Sequence, residues 1–136
     1  MATKIITHGK EIDKAVLGIH RLLEKCRAEE ERLTQEGCQA GNINWKTDRP
    51  NTMFIYEPSV DGRRKYIHVG TDPKKQAEAE ARVERWRCRD KLRKAISALE
   101  DEIKEMDWRL HEAVEFVNAV HEHARVICER REAKRK

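Results

Sequence analysis

PKKQAEAEARVERWRCRDKLRKAISALEDEIKEMDWRLHEAVEFVNAVHEHARVICERREAKRK, residues 73–136, contains no glycine and no further proline after its first residue. Within it apolar residues recur at alternating steps of four and three: Leu92, Ile96, Leu99, Ile103, Met106, Leu110, Ala113, Val117, Val120, Ala124 and Ile127. This is the a/d seam of a heptad repeat, and the pattern predicts one long helix. Such a helix extends about 90 Å at about 1.5 Å per residue, so its apolar edge needs a partner. Its start is marked by Gly70-Thr71-Asp72-Pro73, where Asp72 can cap free amide groups and Pro73 sits where its missing N–H costs nothing. The expected span is 72–133.

A first helix is expected over 8–36, ending before Gly37, a residue suited to the position after a helix C-terminus. Its apolar positions Ile12, Val16, Ile19, Leu23, Cys26 and Leu33 form a second seam, with Glu30 in the one missing place. This helix reaches about 40 Å and covers less than half of the longer one. Around residues 108–127 the apolar stripe also widens, adding Trp108, Val114, Phe116 and Val126, which calls for more than one neighbouring helix. The expectation is a helical-bundle homodimer with a four-helix segment, held on Leu92, Ile96, Leu99, Ile103, Met106, Leu110, Val117, Val120 and Ile127. The alternative is a break near Asp107 and Trp108 that folds the last helix back as a monomeric three-helix bundle.

Between the helices, residues 37–52 read as a loop, being rich in Gly, Asn, Asp and Thr. Trp45, its one large apolar residue, is expected to be covered. Residues 53–69 then read as a β-hairpin, with two β-rich runs flanking Asp61-Gly62, a dipeptide that tolerates the positive φ angles of a tight turn. An isolated hairpin is marginal in water, so one side must be buried. Phe54 and Tyr56 share one face of their strand while Met53 and Ile55 share the other, and either pair could be the buried one. The fold class is therefore mainly α, a single domain over 1–136 with the hairpin inserted between the helices.

Composition narrows the function classes. Charged residues make up 40% of the 136 residues and aromatics 5%, which suits long helices with a narrow seam better than a compact core. The sequence reads as having neither a membrane span nor a secretion signal, and Cys26, Cys38, Cys88 and Cys128 show no C-x-x-C spacing, so a reduced, cytoplasmic protein is expected. The net charge of +4 is modest but unevenly spread. Residues 82–94 hold seven basic against two acidic residues, 100–115 seven acidic against two basic, and 125–136 six basic against two acidic.

Two readings of these blocks compete. In one, opposite blocks on neighbouring chains align and set the register of an oligomer. In the other, Arg82, Arg85, Arg89 and Arg93, with Trp86 among them and Arg63, Arg64 and Lys65 on the adjoining hairpin, grip phosphates. Running the heptad backward from Leu92 puts Arg89, Arg85 and Arg82 at apolar positions, so this part of the helix either leaves the bundle or meets something acidic.

Catalytic constellations are weak. Glu115, not histidine, follows His111 by four, so the H-E-x-x-H zinc signature is absent, and His121 and His123 point to opposite sides of a helix. Gly-rich phosphate loops are missing too, so no enzyme, metal or cofactor is expected.

Residues 62–99 carry a resemblance. Tyr66-Ile67, Gly70, Asp72-Pro73, Ala79, Ala81, Arg82, Val83, Arg85 and Leu92 resemble the second half of a family of small prophage and mobile-element proteins, in which a tyrosine-bearing strand, a short cap and an Ala/Arg-rich helix follow one another. Strand and helix order also resembles the small DNA-reading module at the front of phage-type integrases. The resemblance implies a phage or mobile-element accessory protein acting in the bacterial cytoplasm. It would bind nucleic acid through Arg63, Arg64, Lys65, Arg82, Arg85, Arg89 and Arg93, with Tyr66 and Trp86 stacking on bases or packing between hairpin and helix. Alternatives are an inhibitor or adaptor that offers the same basic surface to an acidic host protein, and a sponge for a phosphorylated nucleotide.

Overall fold

The computed structural model describes residues 2–135, without the side chains of residues 2, 3, 5 and 6. Two helices flank a small sheet along the sequence, in the order α1 (Ala2–Glu36), β1 (Asn42–Trp45), β2 (Met53–Tyr56), β3 (Tyr66–Gly70) and α2 (Pro73–Arg135). The chain divides into two compact units, residues 1–97 and 98–136.

Three boundaries differ from the sequence reading. Helix α1 begins at Ala2 rather than residue 8, because Gly9 is accommodated within an exposed helical turn instead of ending it. The stretch expected to be loop, 37–52, contains strand β1, so the hairpin is the larger part of a three-stranded antiparallel sheet with order β1-β2-β3. Helix α2 is unbroken through Asp107 and Trp108, which removes the fold-back alternative.

The sheet is built as the residues dictate. Asn42 pairs with Tyr56, Ile43 with Ile55 and Asn44 with Phe54, while Ile55 pairs with Ile67 and Tyr56 with Tyr66. Successive strand residues face opposite sides, so Ile43, Ile55 and Ile67 form one row on the inner face. Of the two candidate pairs in β2, Met53 and Ile55 are the inward one: they pack with Ala79 and Val83 of α2, and Ile43, Ile67 and Val69 close around them. The register slips by one residue between Met53 and Phe54, a bulge that brings Gly70 opposite Met53 as the chain leaves for α2. Asp61 and Gly62 form the tight turn expected of them, with φ of 55° and 75°, closed by reciprocal Val60 and Arg63 main-chain bonds of 3.2 and 3.1 Å.

Trp45 is 49% exposed, against expectation. It is the last residue of an edge strand, with one neighbouring strand and no element beyond it to cover the ring.

In residues 1–97 the two helices run antiparallel, as three contacts show by stepping up one while stepping down the other. Arg85 Nε donates to the Gly37 carbonyl (2.7 Å), Arg89 to the Thr34 hydroxyl (3.4 Å) and Arg93 Nε to the Glu30 carboxylate (2.7 Å). Leu23, Leu33 and Ile96 are buried along this line and Cys26 is half-buried, so the C-terminal half of the α1 seam read from the sequence is used, while its first residue, Ile12, is exposed. Glu30, the seam's odd residue, is the partner of Arg93. Helix α1 stops at Gly37, whose φ of 98° suits a residue without Cβ and whose N–H reaches the Leu33 and Thr34 carbonyls.

Helix α2 is tied down at its start. The Asp72 carboxylate accepts from the Lys74 N–H (3.1 Å), and the Gln76 amide donates to the Asn51 and Gly70 carbonyls (2.8 and 2.9 Å). Replacing Asp72 by Ala leaves an amide without this acceptor and is expected to lower stability by about 1 kcal/mol, read as a shift in urea midpoint at unchanged slope.

Candidate nucleic-acid interface

With its inner face on α2, the sheet has an outer face on which Tyr56 and Tyr66 remain exposed, α2 reaching only its Asn42 and Tyr56 margin through Arg87 and Trp86. Its residues follow from the pleat: Asn42, Tyr56 and Tyr66 form one row, Asn44, Phe54 and His68 the next. Phe54 is buried although it faces outward, because its neighbours roof it over: the Tyr66 ring stacks on it with centroids 4.7 Å apart, and Tyr56 meets it edge-on at 5.0 Å. Tyr56 and Tyr66 are in edge contact at 5.6 Å. Both remain exposed, at 37% and 44%. Lys46, two residues beyond Asn44 along the same side, holds its ammonium 5.3 Å from the Tyr66 ring centre.

Beside this aromatic face lies the β2–β3 hairpin tip with Arg63, Arg64 and Lys65, all exposed. Among the described residues none of the three side chains makes a hydrogen bond or an ion pair. The main chain there is held, since the Glu57 N–H donates to the Lys65 carbonyl at 2.9 Å. Glu57 and Asp61 line the same hollow without pairing to them, so the tip keeps three cations against two carboxylates.

The basic residues of α2 are differently employed. Arg82 pairs with Glu78 (3.1 Å) and Lys94 with Asp90 (3.0 Å), while Arg87 reaches Glu84 (3.9 Å) and the Asn42 side chain (3.4 Å). Arg85, Arg89 and Arg93 hold α1, as described above. Of the three arginines at seam positions, only Arg82 meets an acidic group, Glu78 of its own exposed helix surface, whereas Arg85 and Arg89 meet a carbonyl and a hydroxyl of the α1 end instead. Trp86 is half-buried and lines a small cavity with Gly41, Asn42, Tyr56, Pro58 and Arg64. The candidate site residues therefore fall into two groups: Arg63, Arg64, Lys65 and Tyr66 lie together on the open side, whereas Arg82, Arg85, Arg89 and Arg93 serve helix pairing and helix surface.

Arg89 has an unusual position. Its Nε is buried and has no hydrogen-bond partner, and its single contact to Thr34 is long. A buried donor left unpaired costs about 1–3 kcal/mol, so Arg89→Leu is expected to raise the unfolding midpoint or leave it unchanged, measured by chemical denaturation.

Displaced acidities lie away from this face. Hydrogen bonding from Arg32 holds the Glu29 carboxyl below its usual range, and Arg125 does the same for Glu122. Each is an exposed pair on a helix surface. Among the described residues no cluster of His, Cys, Asp and Glu could hold a metal ion, and all four cysteines are free thiols.

Sequence reasoning missed Lys46, Asn42 and Asn44 because loop chemistry in 37–52 masked a short strand. The signal was present as the alternation Asn42, Ile43, Asn44, Trp45, polar and apolar with period two. No protein-family model, curated protein or solved structure matches the chain.

Proposed function

We propose that this chain is a non-enzymatic, self-associating accessory protein of a phage or mobile element that binds nucleic acid in the bacterial cytoplasm. The contact surface is the outer face of the three-stranded sheet, Tyr56 and Tyr66 with Lys46, together with the hairpin tip Arg63, Arg64 and Lys65. The observation that carries this reading is the pairing of exposed aromatic rings with adjoining cations that form no ion pair among the described residues and outnumber the two carboxylates beside them, Glu57 and Asp61. Bases offer π-faces to tyrosine while phosphates reward each neutralised charge with counterion release. A sheet whose inner face is packed and whose outer face is aromatic and cationic can present both kinds of contact at once. The exposed seam residues of α2, Leu110, Val117, Val120 and Ile127, support self-association. No described helix is long and apolar enough to cross a bilayer.

The test is a titration of the full chain against fluorescent single-stranded and duplex oligonucleotides, by anisotropy, at several salt concentrations. Binding should weaken with salt, and Tyr56→Ala with Tyr66→Ala should weaken it while the salt slope stays as it was, because stacking carries no counterions. Salt-independent binding, or none at low salt, removes the proposal; copurification with an acidic protein in its place would transfer the surface to that partner.

A further inference from the structure

In residues 98–136 the seam positions Leu110, Val117, Val120 and Ile127 are 37–62% exposed, and Phe116 beside them is 70% exposed. Ala113 and Ala124, the small residues between them, are exposed as well. We infer that this segment pairs with the same segment of a second copy in antiparallel orientation, crossing at Asn118 and Ala119. The inference deepens the self-association proposed above and rests on it.

Two independent features select that geometry. The first is charge: residues 100–115 hold seven acidic against two basic residues, and 125–136 six basic against two acidic. A parallel, in-register pair would set acidic block on acidic block and basic on basic. Turning one copy around brings each acidic block against the partner's basic block, and the midpoint between the two blocks falls near residue 119. The second feature is the seam. In antiparallel coiled coils a positions face d positions. Rotation about Asn118 and Ala119 sets Val117 against the partner's Val120, Leu110 against the partner's Ile127 and Ala113 against the partner's Ala124. Each of these is an a residue on a d residue, so the register that best neutralises charge is also the one that matches large with large and small with small.

The same register sets Lys134 opposite residue 103 of the second copy, next to the partner's Glu102. Within one chain these two residues lie about 48 Å apart along α2, at about 1.5 Å per residue, so a zero-length carbodiimide bond between them can form only between copies. The wild-type chain is treated with carbodiimide, and the dimer band is digested and sequenced by mass spectrometry, with sedimentation run in parallel. Expected are a dimer and a Lys134 to Glu102 or Glu105 crosslink. A second measurement uses nitroxides at Asn118→Cys or Glu102→Cys, with the native cysteines replaced by serine. Labels at 118 should lie close together, and those at 102 about 50 Å apart. A dimer with short distances at both positions and no such crosslink overturns the antiparallel arrangement while leaving self-association standing. A monomer at micromolar concentration overturns both.

Discussion

Gly41→Ala is expected to lower the stability of the sheet-bearing unit by at least about 3 kcal/mol, a fifth to more than half of the roughly 5–15 kcal/mol of an ordinary domain. Gly41 has φ of 130°, a conformation that side-chain-bearing residues rarely adopt. An added Cβ would lie 2.3 Å from the Tyr56 carbonyl oxygen and 2.8 Å from Cγ2 of Ile55. The first obstacle is main chain of the adjacent strand and the second belongs to a core residue that is 2% exposed, so neither can give way cheaply. Strain of this kind costs about 1–3 kcal/mol before the clash is counted. The same substitution at Gly18, a helical glycine with nothing within 4 Å, should have the opposite sign and raise stability by about 0.5–1 kcal/mol. Urea denaturation of both variants checks the contrast; equal midpoints would mean that β1 does not approach β2 as closely as its register requires.

Loss of nucleic-acid affinity in the triple variant Arg63→Ala, Arg64→Ala and Lys65→Ala is the second large effect. If each cation neutralises one phosphate, the slope of log affinity against log salt should shrink by about 0.9 per residue on duplex, or about 0.7 on a single strand. Summed over three residues, affinity near physiological salt should fall by one to two orders of magnitude, on the order of 2 kcal/mol. Stability should barely change, because these side chains have no internal partners among the described residues. The matched control is Arg85→Ala, which removes the 2.7 Å contact to the Gly37 carbonyl and should act on stability rather than on the salt slope. Should Arg85 and Arg89 carry the salt dependence while the hairpin residues do not, the interface lies on α2 instead of the sheet.

The helices were readable because their signals are local. Heptad spacing, the Asp72-Pro73 start and the Gly37 stop each act within a few residues, and the structure uses all three. Asp61-Gly62 was readable for the same reason, as its φ values are a property of the turn itself. Strand β1 was not, since four residues among turn formers make a strand only when β2 supplies its hydrogen bonds. Arginine function was hidden too: a basic run looks alike whether its charges meet solvent, phosphate or a neighbouring helix.

What the chain determined by itself is its helical frame, because periodicity, caps and turn residues act through bonds close in sequence. Only tertiary packing decided which face of β2 is buried. It was burial of Met53 and Ile55 against Ala79 and Val83 that turned Phe54, Tyr56 and Tyr66 outward together. The division of the cations followed from the same packing, since bringing α1 against α2 engages Arg85, Arg89 and Arg93, while the hairpin-tip side chains form no ion pair among the described residues although Glu57 and Asp61 line the same hollow. Contacts between residues far apart in sequence draw their energy from burial and charge pairing in three dimensions, which no local pattern records.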